Sequence, residues 1–142
     1  MAGLTSELYS MRRDGKGRQK LTPGFSAQPG WGTLHLAPDN SQVAIDWSER
    51  LGGFGDPWSN EVTLVFPTGK NPVALTAAYP RPNYGADGPT WSPNSAFLAF
   101  HLYYCPNADC KGGTDKIVIA DTNAKKVTLA VLTDGWAPSW QP

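Results

Sequence analysis

Apolar residues in this chain come in short runs separated by Gly and Pro. Val43-Ala44-Ile45 and Phe97-Leu98-Ala99-Phe100 are runs of this kind, while Thr33-Leu34-His35-Leu36 alternates polar and apolar. Runs of that length and composition between turn-forming residues predict short β-strands joined by turns. Thirteen prolines spread over 142 residues exclude a long helix, because each removes a backbone donor and clashes with the turn before it. No apolar run is long enough to cross a membrane as a helix. The expected class is all-β.

The strands fall into a repeated unit: a Pro-containing turn, an apolar strand, a long loop, a second apolar strand, a polar turn and a strand ending in Leu-Thr. The endings Leu21-Thr22, Leu75-Thr76 and Leu132-Thr133 are spaced by 54 and 57 residues. The turn prolines Pro38 and Pro93 are 55 apart, and Pro142 follows 49 residues later. A period near 50 with four short strands per unit predicts β-propeller blades.

Three stretches carry a family likeness. Pro89-Thr90-Trp91-Ser92-Pro93-Asn94, Leu8-Tyr9-Ser10-Met11-Arg12-Arg13-Asp14-Gly15 and Gln19-Lys20-Leu21-Thr22 resemble the blade repeat of TolB-like propellers, relatives of the WD-repeat blade. That pattern has a Pro-x-Trp-Ser-Pro-Asp-Gly turn, a strand Ile-Ala-Phe, Ile-Tyr-x-Met, an Asp-Gly turn and Arg-x-Leu-Thr. The likeness covers nearly the whole chain outside two insertions. It departs at Leu36-Ala37, which replaces Trp-Ser, and at Asn40-Ser41 and Asn94-Ser95, which replace Asp-Gly. The resemblance implies a fold, and it leaves function open because propellers host unrelated activities.

With the strands of a blade lettered a to d from the axis outward, residues 6–22 supply c and d. Residues 32–76 and 88–133 each supply a whole blade, and residues 137–142 supply a. The expected content is two complete and two partial four-stranded blades. A ring needs about four blades or more. The expectation is therefore a remainder of a longer chain, or a homo-oligomer, that closes the ring. The absence of a strand b for the shared blade favours the first.

The a–b and c–d turns are short. The d–a and b–c connections, 23–31, 47–60, 77–88, 101–114 and 134–137, are long and emerge on one face, where binding residues usually collect. The candidate ligand-binding residues there are Trp47, Phe54, Trp58, Tyr79, Arg81, Tyr84, His101, Tyr103 and Tyr104. Rigid rings of this kind suit a protein loop, a peptide or a sugar. The competing reading is that they fold back and cap the blades.

Twelve basic and twelve acidic residues cancel, which excludes a general electrostatic grip on nucleic acid or anionic lipid. The cluster Arg12, Arg13, Lys16, Arg18 and Lys20 reads as a solvated edge that resists aggregation. Cys105 and Cys110, with four residues between them in a loop with Pro106 and Asn107, can close a disulfide. Free thiols and a metal site remain alternatives, the latter poor because only His101 and Asp109 stand nearby. A disulfide implies a periplasmic or extracellular compartment, although no basic region followed by an apolar stretch marks a signal peptide at the N-terminus.

No catalytic constellation emerges. Gly24-Phe25-Ser26-Ala27-Gln28 lacks the final Gly of a nucleophile elbow, and Gly15-Lys16-Gly17 is not a phosphate loop. Asp46, Glu49 and Asp56 flank one loop without further support for glycosidic chemistry. His35, on an inner strand, reads as structural, and His101 as the better functional candidate. No cofactor is called for. The expected function is a non-catalytic scaffold for a protein or peptide. The alternatives are a gating propeller of a prolyl-oligopeptidase-like serine peptidase, as the resemblance allows, or a saccharide-binding propeller.

Overall fold

A computed structural model of the chain describes residues 8–21, 33–50, 58–65, 73–76, 79, 83–107, 110–124 and 127–141, with backbone alone at 47–50, 58–61 and 65. The regular elements among these are all strands. Strands β1 (Tyr9–Ser10) and β2 (Gln19–Lys20) form a hairpin. Strands β3 (Thr33–Leu36), β4 (Val43–Arg50), β5 (Trp58–Val65) and β6 (Val73–Ala74) follow one another in a four-stranded antiparallel sheet. Strands β7 (Tyr84–Trp91), β8 (Phe97–Tyr104), β9 (Thr114–Asp121) and β10 (Thr128–Asp134) form a second sheet of the same order.

The two sheets open with the same turn. Ala37 donates its N–H to the Gln42 carbonyl, and Ser92 donates to the Phe97 carbonyl, both at 2.9 Å. Asn40 (φ 61°) and Ser95 (φ 59°) occupy the left-handed position that closes each turn. The residues before them do matching work. The Asp39 carboxylate accepts from the Ser41 N–H and hydroxyl, and the Asn94 carbonyl accepts from the Ser92 hydroxyl and the Ala96 N–H. The matching pairs are therefore Asp39-Asn40 and Asn94-Ser95, which shifts the first turn by one residue from the alignment expected. The hydrogen bond from the Ser41 hydroxyl is the largest effect holding the Asp39 carboxyl below its ordinary range.

The hairpin repeats the last two strands of the first sheet. Tyr9 pairs with Lys20 and Ser10 with Gln19, as Thr63 pairs with Ala74 and Leu64 with Val73, each 54 residues further on. Leu21 donates to the Leu8 carbonyl at 2.8 Å, and Leu75 donates to the Val62 carbonyl at 2.9 Å.

Packing then repeats in one direction. The face of the first sheet bearing Ala44, Val62 and Leu64 is buried against Leu98, Phe100 and Val118 of the second. Its opposite face, with Ile45 and Val43, packs on Leu8 and Leu21 of the hairpin. Neighbouring strand residues Ala44 and Ile45, or Leu98, Ala99 and Phe100, are therefore buried in succession, as expected when both faces of a strand are covered. Trp91 donates its indole N–H to the His35 carbonyl at 2.7 Å, and Trp140 donates to the Thr90 carbonyl at 2.9 Å. His35 and Thr90 hold matching places in β3 and β7. Residues 137–141 contain no paired strand, yet Trp140 contacts the second sheet as Trp91 contacts the first.

The strands reach further than their apolar runs. β4 and β8 extend to Arg50 and Tyr104, and β7 begins at Tyr84. Trp47, Trp58, Tyr84, His101, Tyr103 and Tyr104, expected on loops, lie on strand ends instead. The reason is pairing: Trp47 stands opposite Glu61, Arg50 opposite Trp58 and Tyr84 opposite Tyr104, so the backbone bonds continue past the apolar stretch.

Candidate functional site

One end of the second sheet brings chemistry together. His101 on β8 stands opposite Asp87 on β7 and Ile117 on β9, with Asp115 two residues before Ile117. Side chains two residues apart in a strand share a face, so the imidazole lies between two carboxylates. Its Nδ1 is 3.0 Å from an Asp87 oxygen and its Nε2 is 2.8 Å from an Asp115 oxygen. A neutral imidazole donates one hydrogen and an imidazolium two. Both ring nitrogens lie within hydrogen-bond distance of a carboxylate oxygen.

A bulge shapes the site. The pairing of β7 and β8 shifts between Asp87 and Thr90, where Gly88 has φ 59°. Ala137 holds the matching place after β10 and has φ 52°. Asp87, Gly88, His101, Asp115, Trp136 and Ala137 line an open cavity of about 440 Å³. Trp136 is 77% exposed at its edge, and the ring of Tyr103 lies tilted 5.5 Å from His101. One unit earlier, the matching place of His101 is Asp46. Its carboxylate accepts from the Thr33 hydroxyl and from the N–H of Gly88 in the next sheet.

The other candidate aromatics lie elsewhere. Tyr84 is 4.8 Å from Tyr104 and 5.3 Å from Tyr79, centre to centre, and Tyr79 and Tyr84 pack against the core. These three rings cap the buried layer between the sheets. Tyr103 covers Gly85, its cross-strand partner, so closely that a side chain there would overlap the phenol. Trp47 and Trp58 are placed by backbone alone, and Phe54 and Arg81 lie outside the described residues. Sequence reasoning named His101 and passed over Asp87 and Asp115. Their signal lies in the pairing register, which a single strand's pattern does not contain.

Cys105 and Cys110 lie at disulfide distance, with Cα atoms 4.3 Å apart, on the connection from β8 to β9. Asn107 ties the same connection by accepting from the Lys111 N–H and donating to the Lys111 carbonyl. Among the described residues no group of three or more His, Cys, Asp or Glu is arranged to hold a metal ion. No protein-family model, curated protein or solved structure matches the chain.

Proposed function

We propose that the chain is a run of TolB-like β-propeller blades and acts as a non-catalytic scaffold for a protein or peptide. The partner binds at the rim where the b–c and d–a connections emerge. The repeated turns, the repeated hairpin register and the one-way stacking of sheets support the propeller reading. The observation that carries the binding reading is the cavity around His101, at the end of β8, the start of β9 and the segment after β10. Two carboxylates beside an exposed indole suit a peptide with a basic side chain, the ring face adding cation–π attraction. Among the described residues, those lining the cavity include no hydroxyl or thiol. The cysteine pair is compatible with a periplasmic or extracellular location.

Titration of the isotopically labelled protein with basic, neutral and acidic peptides tests this reading by NMR. Basic peptides are expected to move the His101 and Trp136 side-chain signals, and Trp136→Ala to weaken binding by about tenfold. A panel that leaves both signals in place contradicts the reading.

A further inference from the structure

The cysteine pair stands close in the chain to the histidine site. Cys105 follows directly on β8, and its N–H donates to the Asn83 carbonyl, just before β7, at 2.7 Å. Cys110 closes a turn: its N–H donates to the Asn107 carbonyl at 3.1 Å, and its own carbonyl accepts from the Gly113 N–H at 2.9 Å. After Gly113 the chain enters β9, with Thr114 opposite Tyr104 and Asp115 opposite Tyr103. The Asp115 carboxylate is the one 2.8 Å from Nε2 of His101. Contiguous covalent and hydrogen bonds therefore join Cys110 to one of the two acids flanking the imidazole.

Three features make a bond between these sulfurs easy to open. Four residues lie between the cysteines, and closing so short a loop stabilises less than closing a long one. Cys105 is half-buried, but Cys110 is exposed and open to a reductant. Cys110 also holds φ 53°, a left-handed conformation that costs a residue other than glycine. Once the crosslink is gone, Cys110 is free to leave that conformation, and the Gly113 N–H then loses its acceptor. Loosening stops within β9, because Ile117 and Val118 are buried. Exposed or strained disulfides of this kind are the labile ones.

We infer that Cys105 and Cys110 form a reversible redox site that sets the position of Asp115 beside His101. The reductant is a dithiol. Its thiolate attacks the disulfide, the sulfur–sulfur bond breaks, and two electrons and two protons end on Cys105 and Cys110 as thiols while the dithiol closes a disulfide of its own. In the oxidised form the turn at Cys110 anchors the start of β9. In the reduced form the turn opens and the contact between Asp115 and His101 loosens. As regulation of the peptide cavity, this rests on the reading proposed above; as a change around His101, it stands without it.

The test is native-state reduction of the labelled full chain by dithiothreitol, followed by NMR without peptide. Alkylation and mass measurement should find two thiols. The His101 ring signals should shift, and the Gly113 amide should exchange about tenfold faster. The signals of Val118 and Ala120 should stay in place, and reoxidation should restore the rest. Cys105→Ser combined with Cys110→Ser should show the reduced pattern without any reductant. Cys105→Ser combined with Cys110→Gly should lie nearer the oxidised pattern, since glycine accepts the left-handed φ at no steric cost. A bond that dithiothreitol opens only after denaturation overturns the inference, and so does reduction that leaves His101 and Gly113 unchanged. Loss of the Val118 signals on reduction would overturn it too, because the bond would then hold the whole fold. Equal exchange in the two double variants overturns the role given to the Cys110 backbone. A failed peptide titration leaves all these readouts standing, and a failed reduction leaves peptide binding standing.

Discussion

At the scale of single residues, the two sheets share a turn in which a residue other than glycine takes a left-handed backbone. Asn40 and Ser95 take left-handed φ in matching turns, and a turn of Pro followed by Asp or Asn announces such a position. The pair expected to replace Asp-Gly at the first turn, Asn40-Ser41, lies one residue beyond the matching pair Asp39-Asn40, because Asp39 and Asn40 can each fill either role. Asp39 also gives a pH signature. Its carboxyl titrates lower in the folded chain than in the unfolded one, chiefly through the Ser41 hydroxyl. The contribution is present above the unfolded carboxylate value and is lost as pH falls through the folded one. Asp39→Asn keeps an acceptor, as Asn94 does in the matching turn, and removes the titration. Its melting temperature is expected to drop less than the wild type's between neutral and acid pH. Equal drops would show that Asp39 takes no part in the acid loss.

At the scale of elements, composition was enough for the all-β class and for the prolines and glycines that separate the strands. Strand ends were not legible. β4, β7 and β8 run past their apolar residues because paired backbone continues wherever a partner strand does, and no window of one strand contains its partner. The same limit hid Asp87 and Asp115: their place beside His101 follows from register across three strands. The connection from β8 to β9 is held by the Cys105–Cys110 pair, worth about 2 kcal/mol by the loop-closure estimate. It is held again by Gly113, whose N–H donates to the Cys110 carbonyl. A Cβ on Gly113 would lie 2.5 Å from the Tyr104 carbonyl oxygen and 2.9 Å from that of Cys110, both backbone atoms that cannot move alone. Gly113→Ala is expected to cost on the order of 2 kcal/mol in a urea unfolding curve. An unchanged midpoint would mean that the connection shifts without resistance.

At the scale of the whole molecule, what matters is that each unit covers the same face of the one before it. The Leu-Thr and Pro-turn spacings of the sequence have a structural counterpart in the matching turns and the matching hairpin register. The direction of stacking was not, because burial of one sheet on another depends on which face each strand presents. Two indole hydrogen bonds mark the junctions: Trp91 to His35, and Trp140 to Thr90. The second lies in a segment without a paired strand, so it is where the repeat is most exposed to disproof. Hydrogen exchange of the tryptophan indole protons, followed by NMR in one sample, reads it directly, with exposed Trp136 as the internal standard for a free ring. Slow exchange at both Trp91 and Trp140, against fast exchange at Trp136, is the result expected of a chain that begins its next unit on the second sheet. Trp140 exchanging as fast as Trp136 would contradict it.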